Sequence, residues 1–376
     1  MKIGIVTLPL HTNYGGILQV YALQTILERM GHEVAVFDTF KKKDNSIWKH
    51  PKVFLSRCIR KFLLRKPTRI FYERWYNSTY PIISKYTQEF LDKYIHRTII
   101  SEFGTLYSDS FDALVVGSDQ VWRPMYFTWM YRTTIDNAYL AFARNWNVKR
   151  IAYAPSFGTE DWEYTDEQTL LCRELIKMFD VITVREISGV HLCKKYLGVD
   201  AVHVLDPTML LDSGDYIQLI EKSTILQSKG NMLCYLLDET KEKKAIIDRI
   251  AKERGFIPFR VNSKVEDSWA PIEERVQPPV ESWLRGFYDA EFIVTDSFHA
   301  CVFSILFKKP FLVVGNKHRG MARFESLLSM FGLQDRLITV NDDSIVYNAI
   351  NWDSVYIKLE KKRKESVSIL YKALTF

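Results

Sequence analysis

The residue of this sequence best suited to acid–base chemistry is a histidine at the start of a predicted helix. Residues 292–295 are apolar and rich in β-formers, which predicts a buried strand. Ser297 follows as a common helix-capping type, and His299 lies in the first turn of the helix. Open parallel sheets bind ligands at such a point, just past the carboxyl end of a strand. We therefore predict that His299 is a general acid beside a bound ligand.

Cationic side chains are predicted next to this histidine. Residues 311–314 form the next apolar strand, and Lys317 and Arg319 follow its end. Backbone N–H groups at the helix start, from Ser297 to His299, also favour a bound anion. The pattern predicts a site for a phosphorylated ligand. The alternative is that His299 only caps the helix and that the two cations belong to a solvated loop.

A second group of polar side chains follows a strand in the first half of the chain. The predicted strand at residues 112–116 leads to Asp119, Gln120 and Trp122. A carboxylate and an amide can bind sugar hydroxyls, and an exposed indole can stack on the face of a sugar ring. The pattern predicts a sugar site, unless this is an ordinary turn with Trp122 in the core.

Two later strands also end in charged residues. The strand at residues 181–184 ends at Arg185, whose guanidinium can bind carboxylate or phosphate through paired hydrogen bonds. The alternative for Arg185 is a structural pair with Glu186. The strand at residues 202–205 ends at Asp206.

The chain opens with a predicted strand, a glycine turn and a helix. Gly15 and Gly16 would let the backbone approach a ligand at the helix start, or are needed only for packing. The spacing is not the Gly-x-Gly-x-x-Gly pattern of dinucleotide sites, so no such site is predicted.

Strands and helices alternate throughout, which predicts an α/β fold of two Rossmann-like domains with a cleft between them. A length of 376 residues leaves room for two domains. A hinge predicted near residues 211–214 divides the chain into an N-terminal domain at 1–210, a C-terminal domain at 211–350 and a final helix at 351–376.

Composition narrows the class of protein. Hydrophobic residues make up 47% and charged residues 26%, and no stretch has the roughly 20 apolar residues of a membrane span. The first residues read as a strand and not as a signal peptide. The five cysteines are dispersed without metal-binding spacing, which predicts a cytoplasmic protein without a metal site.

Positive charge is concentrated in one segment. Residues 41–74 hold twelve Lys or Arg against Asp44 and Glu73, a local charge of +10 in a chain of net charge +6, so the other residues sum to −4. This confinement argues against a nucleic-acid surface. The segment contains a basic amphipathic helix, which predicts contact with an anionic membrane surface or packing of its apolar stripe on the domain. The stripe comprises Phe54, Leu55, Cys58, Ile59, Phe62 and Leu63.

The order of several motifs narrows the function further. The motifs are TNYGGILQVYALQ, DALVVGSDQVW, IAYAPSFG, VITVRE, VLDPT and TDSFHACVFSILFKKPF. Together, from about residue 2 to residue 320, the chain resembles the polysaccharide pyruvyl transferase family. The resemblance implies a glycosyltransferase B-type architecture and phosphoenolpyruvate as co-substrate. It also implies a product in which pyruvate forms a ketal across two hydroxyls of a sugar, in a surface polysaccharide or its lipid-linked precursor.

The resemblance assigns roles to residues. His299 corresponds to the family's active-site histidine, Arg185 to its arginine after the middle strand, and Lys317 to a basic residue after the following strand. No metal or further cofactor is predicted. The predicted site comprises catalytic His299 and Asp119, donor-binding Arg185, Ser297, Lys317 and Arg319, and acceptor-binding Asn13, Tyr14, Gly15, Gln120 and Trp122.

Two positions depart from the family pattern. Ser297 stands where many members carry Arg, and Gly16 where many carry Asp, so Arg319 or Arg323 would supply the missing cation. The alternative function is a nucleotide-sugar-dependent glycosyltransferase of the same architecture, with Glu325 available for ribose hydroxyls. A glycan-binding protein without catalysis is a further alternative.

Overall fold

Two parallel β-sheets organise the protein in this computed structural model. The structure describes residues 1–39, 43, 51–315, 321–340 and 348–375. The predicted donor-binding residues Lys317 and Arg319 lie outside the described residues.

The first sheet has seven strands in the order β3-β2-β1-β4-β5-β6-β7, and every pairing is parallel. These strands are β1 (Lys2–Val6), β2 (Glu33–Thr39), β3 (Arg97–Ile100), β4 (Ala113–Val116), β5 (Lys149–Ala152), β6 (Val181–Val184) and β7 (Val202–His203).

The second sheet has five parallel strands in the order β12-β11-β10-β8-β9. These strands are β8 (Met232–Tyr235), β9 (Pro258–Phe259), β10 (Phe292–Thr295), β11 (Phe311–Val314) and β12 (Leu337–Ile338). Two successive parallel sheets confirm the predicted α/β fold of glycosyltransferase B type. The predicted domain boundary at residues 210 and 211 falls between the last strand of one sheet and the first of the other, and stays a prediction.

Helices connect the strands. They are α1 (Tyr14–Arg29), α2 (Pro51–Phe62), α3 (Tyr72–Ile83), α4 (Lys85–Tyr94), α5 (Pro124–Tyr131), α6 (Asp166–Ile176), α7 (Ile187–Leu192), α8 (Ser213–Glu221), α9 (Lys241–Arg254), α10 (Ile272–Arg275), α11 (Val280–Asp289), α12 (Phe298–Leu306), α13 (Ala322–Phe331) and α14 (Trp352–Thr375). No helix in the described part of the chain is long and apolar enough to cross a bilayer.

The strand order places a ligand crevice in each sheet. Strand order reverses between β1 and β4 in the first sheet and between β10 and β8 in the second. Ligands bind outside the carboxyl ends of the strands at such reversals. The turn before α1, the loop after β4 and the start of α12 all lie at these strand ends. The topology therefore brings three of the predicted site segments to the two crevices.

The two sheets share a continuous core. One cluster of buried apolar side chains includes Ile3 of β1, Phe303 of α12 and Leu370 of α14. Helix α14 is joined to both halves: its Ser366 hydroxyl accepts a hydrogen bond from Leu205 N at 3.2 Å, and its Tyr356 hydroxyl donates to Leu306 O at 2.5 Å. This shared packing fixes the two crevices relative to each other.

Helix α2 packs differently from the other long helices, because none of its residues is buried. Leu55 is 60% exposed and Phe62 is 68% exposed, and the adjoining Leu63 is 76% exposed. The stripe is exposed at Leu55, Ile59, Phe62 and Leu63 but half-buried at Phe54 and Cys58, so it packs on the protein only in part. Arg57, on the same helix, forms two hydrogen bonds with Glu73 of α3 at 2.6 and 2.7 Å, which hold α2 against its neighbour.

Candidate active site

The predicted general acid lies at the start of α12, between the two halves of the molecule. His299 is 7% exposed, and its imidazole faces the first turn of α1. A methyl group on Gly15 would come within 2.1 Å of His299 Nδ1. Gly15 therefore permits close packing against the histidine. Asn13 caps the same helix, since its Oδ1 accepts a hydrogen bond from Gly15 N at 3.1 Å.

A buried carboxylate joins this histidine to the predicted arginine. Asp206 Oδ2 lies 2.8 Å from Arg185 Nη1 and 3.6 Å from His299 Nε2. The other oxygen accepts hydrogen bonds from the backbone and hydroxyl of Thr208 at 3.0 and 2.6 Å. Burial opposes ionisation of Asp206, but His299, Arg185 and Thr208 outweigh it and hold the pKa of this carboxyl well below its usual range. Asp206 therefore carries the negative charge that balances the cluster.

Arg185 is buried by charged and aromatic neighbours. Its guanidinium stacks 4.5 Å from the centre of the Phe298 ring, and Nη2 lies 3.7 Å from Asp119 Oδ1. Burial would lower its pKa, but the nearby carboxylates of Asp206, Asp119 and Glu186 raise it overall. Arg185 pairs with Asp206, whereas Glu186 Oε1 accepts hydrogen bonds from Ser156 Oγ and Phe157 N, each at 2.9 Å.

Several buried donors of this cluster have no hydrogen-bond partner among the described residues. They include Nε and Nη2 of Arg185 and Nε2 of His299. Buried polar atoms without partners are rare and costly in folded proteins. The guanidinium of Arg185, held by a fixed carboxylate, suits the oxygens of an anionic ligand.

Asp119 occupies a strained position beside the cluster. Its φ of +70° is in the left-handed region, which Asp tolerates better than most residues. Its backbone carbonyl accepts a hydrogen bond from Ser156 N at 2.8 Å, which fixes the turn. A carbon added to Gly16 would lie 3.6 Å from Asp119 Oδ2. The carboxylate is thus held between Arg185 and the start of α1.

Two buried charges near Arg185 complete the cluster. Arg323 of α13 lies 5.8 Å from the Phe298 ring, and burial and the charge of Arg185 lower its pKa to about 10. Burial raises the pKa of Glu186. The sequence analysis names Arg323 only as a possible replacement for the missing cation, and it names Asp206 only as the end of a strand. Asp206 could have been predicted as a site residue from its place at a strand end. Arg323 lies within helix α13, where no sequence pattern indicates a site.

Trp122 corrects one prediction. Its side chain is fully buried, Nε1 donates to Ala138 O at 3.1 Å, and the ring stacks on Tyr139 with centroids 4.9 Å apart. The prediction of an exposed indole that stacks on a sugar is therefore wrong, because Tyr139 covers the face of the ring and the Ala138 carbonyl occupies its polar edge. Gln120 remains half-buried, and its Oε1 accepts a hydrogen bond from Arg123 at 3.1 Å.

Tyr14 and Ser297 also have polar groups that are already bonded within the protein. The Tyr14 hydroxyl donates to Pro278 O at 2.8 Å, and its ring stacks on Trp283 of α11 with centroids 5.6 Å apart. Ser297 N donates to Thr295 Oγ1 at 3.0 Å, so this N–H is not free for an anion, and the Ser297 side chain makes no capping bond. Tyr14 joins the two halves of the molecule, which is a structural contact that its spacing does not reveal.

Fold and site together define a two-part α/β enzyme with a buried histidine–aspartate–arginine cluster at facing strand ends. A sequence model described as polysaccharide pyruvyl transferase matches residues 13–318. The chain belongs to the polysaccharide pyruvyl transferase family.

Comparison with other proteins adds distant similarities. No curated protein matches the chain. Among solved structures, it is similar to UDP-GlcNAc 2-epimerase from Neisseria meningitidis bound to UDP-GlcNAc, at 13% identity and a TM-score of 0.48, over 100% of this chain and 99% of that one. It is also similar to UGT89C1 of Arabidopsis thaliana complexed with UDP-L-rhamnose, at 9% identity and a TM-score of 0.48, over the same shares of both chains.

Proposed function

We propose that this transferase moves the enolpyruvyl group of phosphoenolpyruvate to sugar hydroxyls of a surface polysaccharide or its lipid-linked precursor and closes it as a pyruvate ketal. Family membership supports the reaction class. The main observation that supports phosphoenolpyruvate as the donor is that Asp206 contacts both Arg185 and His299. This contact places a cation and a candidate acid in one buried cluster.

Donor binding uses the cations. Arg185, together with Lys317 and Arg319, binds the phosphate and carboxylate of phosphoenolpyruvate. Arg323 provides the buried cation that Ser297 does not, since both arginines contact the Phe298 ring. Pre-placed cations of this kind stabilise negative charge on a departing phosphate.

The chemistry follows in four steps. His299 protonates the methylene carbon of the donor, which becomes a methyl group and leaves an oxocarbenium-like centre at C2. A sugar hydroxyl attacks C2 and gives its proton to Asp119. The C2–O bond to phosphate then breaks and phosphate departs with a proton. A second hydroxyl attacks C2, loses its proton and closes the ketal, so two hydroxyl protons replace those used by the methyl group and the phosphate.

Asp119 can replace the carboxylate that Gly16 lacks. The Asp119 carboxylate lies beside the position where a side chain at residue 16 would begin. It supplies an acid group near the place where many family members carry Asp. Asn13, Gly15 and Gln120 stay as proposed acceptor contacts around it.

A donor assay tests this proposal. Purified protein would be incubated with an oligosaccharide acceptor and either phosphoenolpyruvate or nucleotide sugars, and released phosphate and nucleotide would be measured. We expect acceptor-dependent phosphate release from phosphoenolpyruvate, lowered by about 10²-fold or more in His299→Gln. Release of nucleotide from a nucleotide sugar, with no reaction of phosphoenolpyruvate, would instead support a glycosyltransferase.

We further propose that the protein works at the cytoplasmic face of a membrane, attached through α2. The exposed apolar stripe of α2 and the basic residues Arg60 and Lys61 beside it support this attachment. Vesicle co-sedimentation should show binding that needs anionic lipid, falls with salt and is lost when both residues become Glu. Arg57 is left in place because it pairs with Glu73. Equal recovery with neutral vesicles would contradict the proposal.

A further inference from the structure

A basic groove lies outside the active-site cluster and has no role in the reaction steps proposed above. It has a volume of about 670 Å³ and lies between the end of α2, the start of α3 and the loop before α10. None of the described residues that line it is acidic. Its charged and indole side chains are those of Lys61, Arg65, Lys66, Arg69, Trp75 and Trp269.

The centre of the groove is a fixed arginine. Arg69 lies 4.2 Å from the ring centre of Trp75 and 4.3 Å from that of Trp269, and its Nη2 donates to Ser268 O at 2.7 Å. Arg275 is buried, and its guanidinium lies 4.9 Å from the centre of the same Trp75 ring. Its pKa is lowered by burial and then by the charge of Arg69. Two arginines on one tryptophan ring create a positive potential that an anion would relieve.

The groove continues into the exposed apolar surface of the same segment. Phe71 lines the groove, is 56% exposed and contacts Phe54 of α2 with ring centroids 5.6 Å apart. Leu63 and Leu64, just before the basic residues, are 76% and 57% exposed. A ligand that covers both parts would have an anionic end and an apolar chain.

Helix α3 connects the groove to the active-site turn. Trp75 lies in the groove, and Tyr80, about 8 Å further along the helix axis, is 3.2 Å from His11 Nδ1. The loop that carries Trp269 continues to Gln277, which donates to Thr12 O at 3.0 Å. Both walls of the groove therefore lead to the residues just before Asn13.

We propose that this groove binds the phosphate or diphosphate of a lipid-linked acceptor. The cations hold the phosphate, the lipid chain lies on the apolar surface of α2, and the saccharide extends along α3 toward His299. The direction of the saccharide rests on the proposed transferase function, whereas the binding of a lipid phosphate does not.

Isothermal titration without phosphoenolpyruvate tests the proposal. The probes are farnesyl diphosphate, inorganic diphosphate, farnesol and dihexanoyl-phosphatidylglycerol, each below its aggregation threshold. We expect farnesyl diphosphate to bind more tightly than the other three. The double variant R65A/K66A changes exposed side chains and should weaken this binding by about tenfold or more. The matched variant K241A/K244A, on exposed positions of α9, should bind as the unaltered protein does.

Each other outcome overturns the proposal. Equal weakening by the two double variants would show a general charge effect, and equal affinity for the phosphatidylglycerol would show a general lipid contact. His299→Gln should keep the farnesyl diphosphate affinity. Failure of the transferase proposal would therefore leave this result unchanged, and failure of the groove would leave donor turnover with a soluble acceptor unchanged.

Discussion

At the scale of single residues, Asp206 decides how the site is charged. Its carboxylate is buried, contacts Arg185 and His299, and has a pKa far below the ordinary value. A buried ion pair is a poor source of net stability, but loss of one partner is costly because the other charge stays buried. Asp206 therefore holds Arg185 and His299 next to each other, and its charge offsets that of the buried guanidinium.

We predict that Asp206→Asn lowers the free energy of unfolding by about 3 kcal/mol near neutral pH. A depressed pKa means that the folded state binds the proton less readily than the unfolded state. The stabilisation is therefore present above the unfolded pKa of about 3.9 and is lost as the pH falls below it, by at most about 1.4 kcal/mol per pH unit. Urea unfolding at a series of pH values measures this.

The matched control is Asp200→Asn, which removes an exposed carboxylate that pairs with Lys194. The free energy of unfolding of Asp200→Asn should still fall at acid pH as in the unaltered protein, whereas that of Asp206→Asn should fall less. The same acid dependence in both variants would mean that Asp206 is not the charged centre of the cluster.

The Gly15 position gives a test of histidine placement. Gly15→Ala should lower turnover by about 10²-fold, because the methyl group must push the imidazole from its place and a shift of about 1 Å can cost that much. Gly16→Ala is the control, since its methyl group would meet its nearest neighbours at 3.5 and 3.6 Å. Steady-state kinetics with similar losses in both variants would contradict the packing argument.

At the scale of elements, periodicity predicted most of the framework. The predicted strands at residues 292–295 and 311–314 coincide with β10 and β11, because short apolar runs in parallel sheets carry a clear signal. Strand β3 and helix α3 were not predicted. Residues 72–83 contain four aromatic side chains without a clear apolar period, and contacts such as the Tyr76–Tyr80 stack contribute to the structure there.

The site was less predictable than the framework. Strand ends indicated Asp119, Arg185 and His299, since parallel strands bring their carboxyl ends to one edge. The exposure of Trp122 could not be predicted, because its burial depends on Tyr139, which lies in a 3₁₀ helix too short to show a periodic pattern. Contacts between the halves, such as that of Tyr14 with Pro278, also depend on packing alone.

The loop after β4 gives a prediction at this scale. Trp122→Ala should lower the free energy of unfolding by about 3 to 5 kcal/mol, because it opens a cavity beside Tyr139. Chemical denaturation measures the loss. A variant with unchanged stability and weakened acceptor binding would restore the sugar-stacking role that the burial of Trp122 contradicts.

At the scale of the whole molecule, the site exists only where the two sheets meet. The second half contributes His299, and the first contributes Asp206, Arg185 and the Gly15 turn. Shared packing along α14 and the Tyr14–Trp283 stack keep these groups in register. The basic groove at the end of α2 is lined by Trp75 of α3, and Tyr80 of the same helix contacts His11 near this junction. This arrangement agrees with the proposal that a membrane-bound acceptor reaches His299.

Mass spectrometry of the acceptor after reaction with phosphoenolpyruvate in D₂O tests the central claim most directly. Protonation of the donor methylene by His299, whose labile proton exchanges with solvent, predicts an acceptor that gains one pyruvate ketal with one deuterium in its methyl group. The His299→Gln protein should give almost none of this product. An acceptor that gains a sugar from a nucleotide sugar, or a ketal whose methyl group carries no deuterium, would contradict the account.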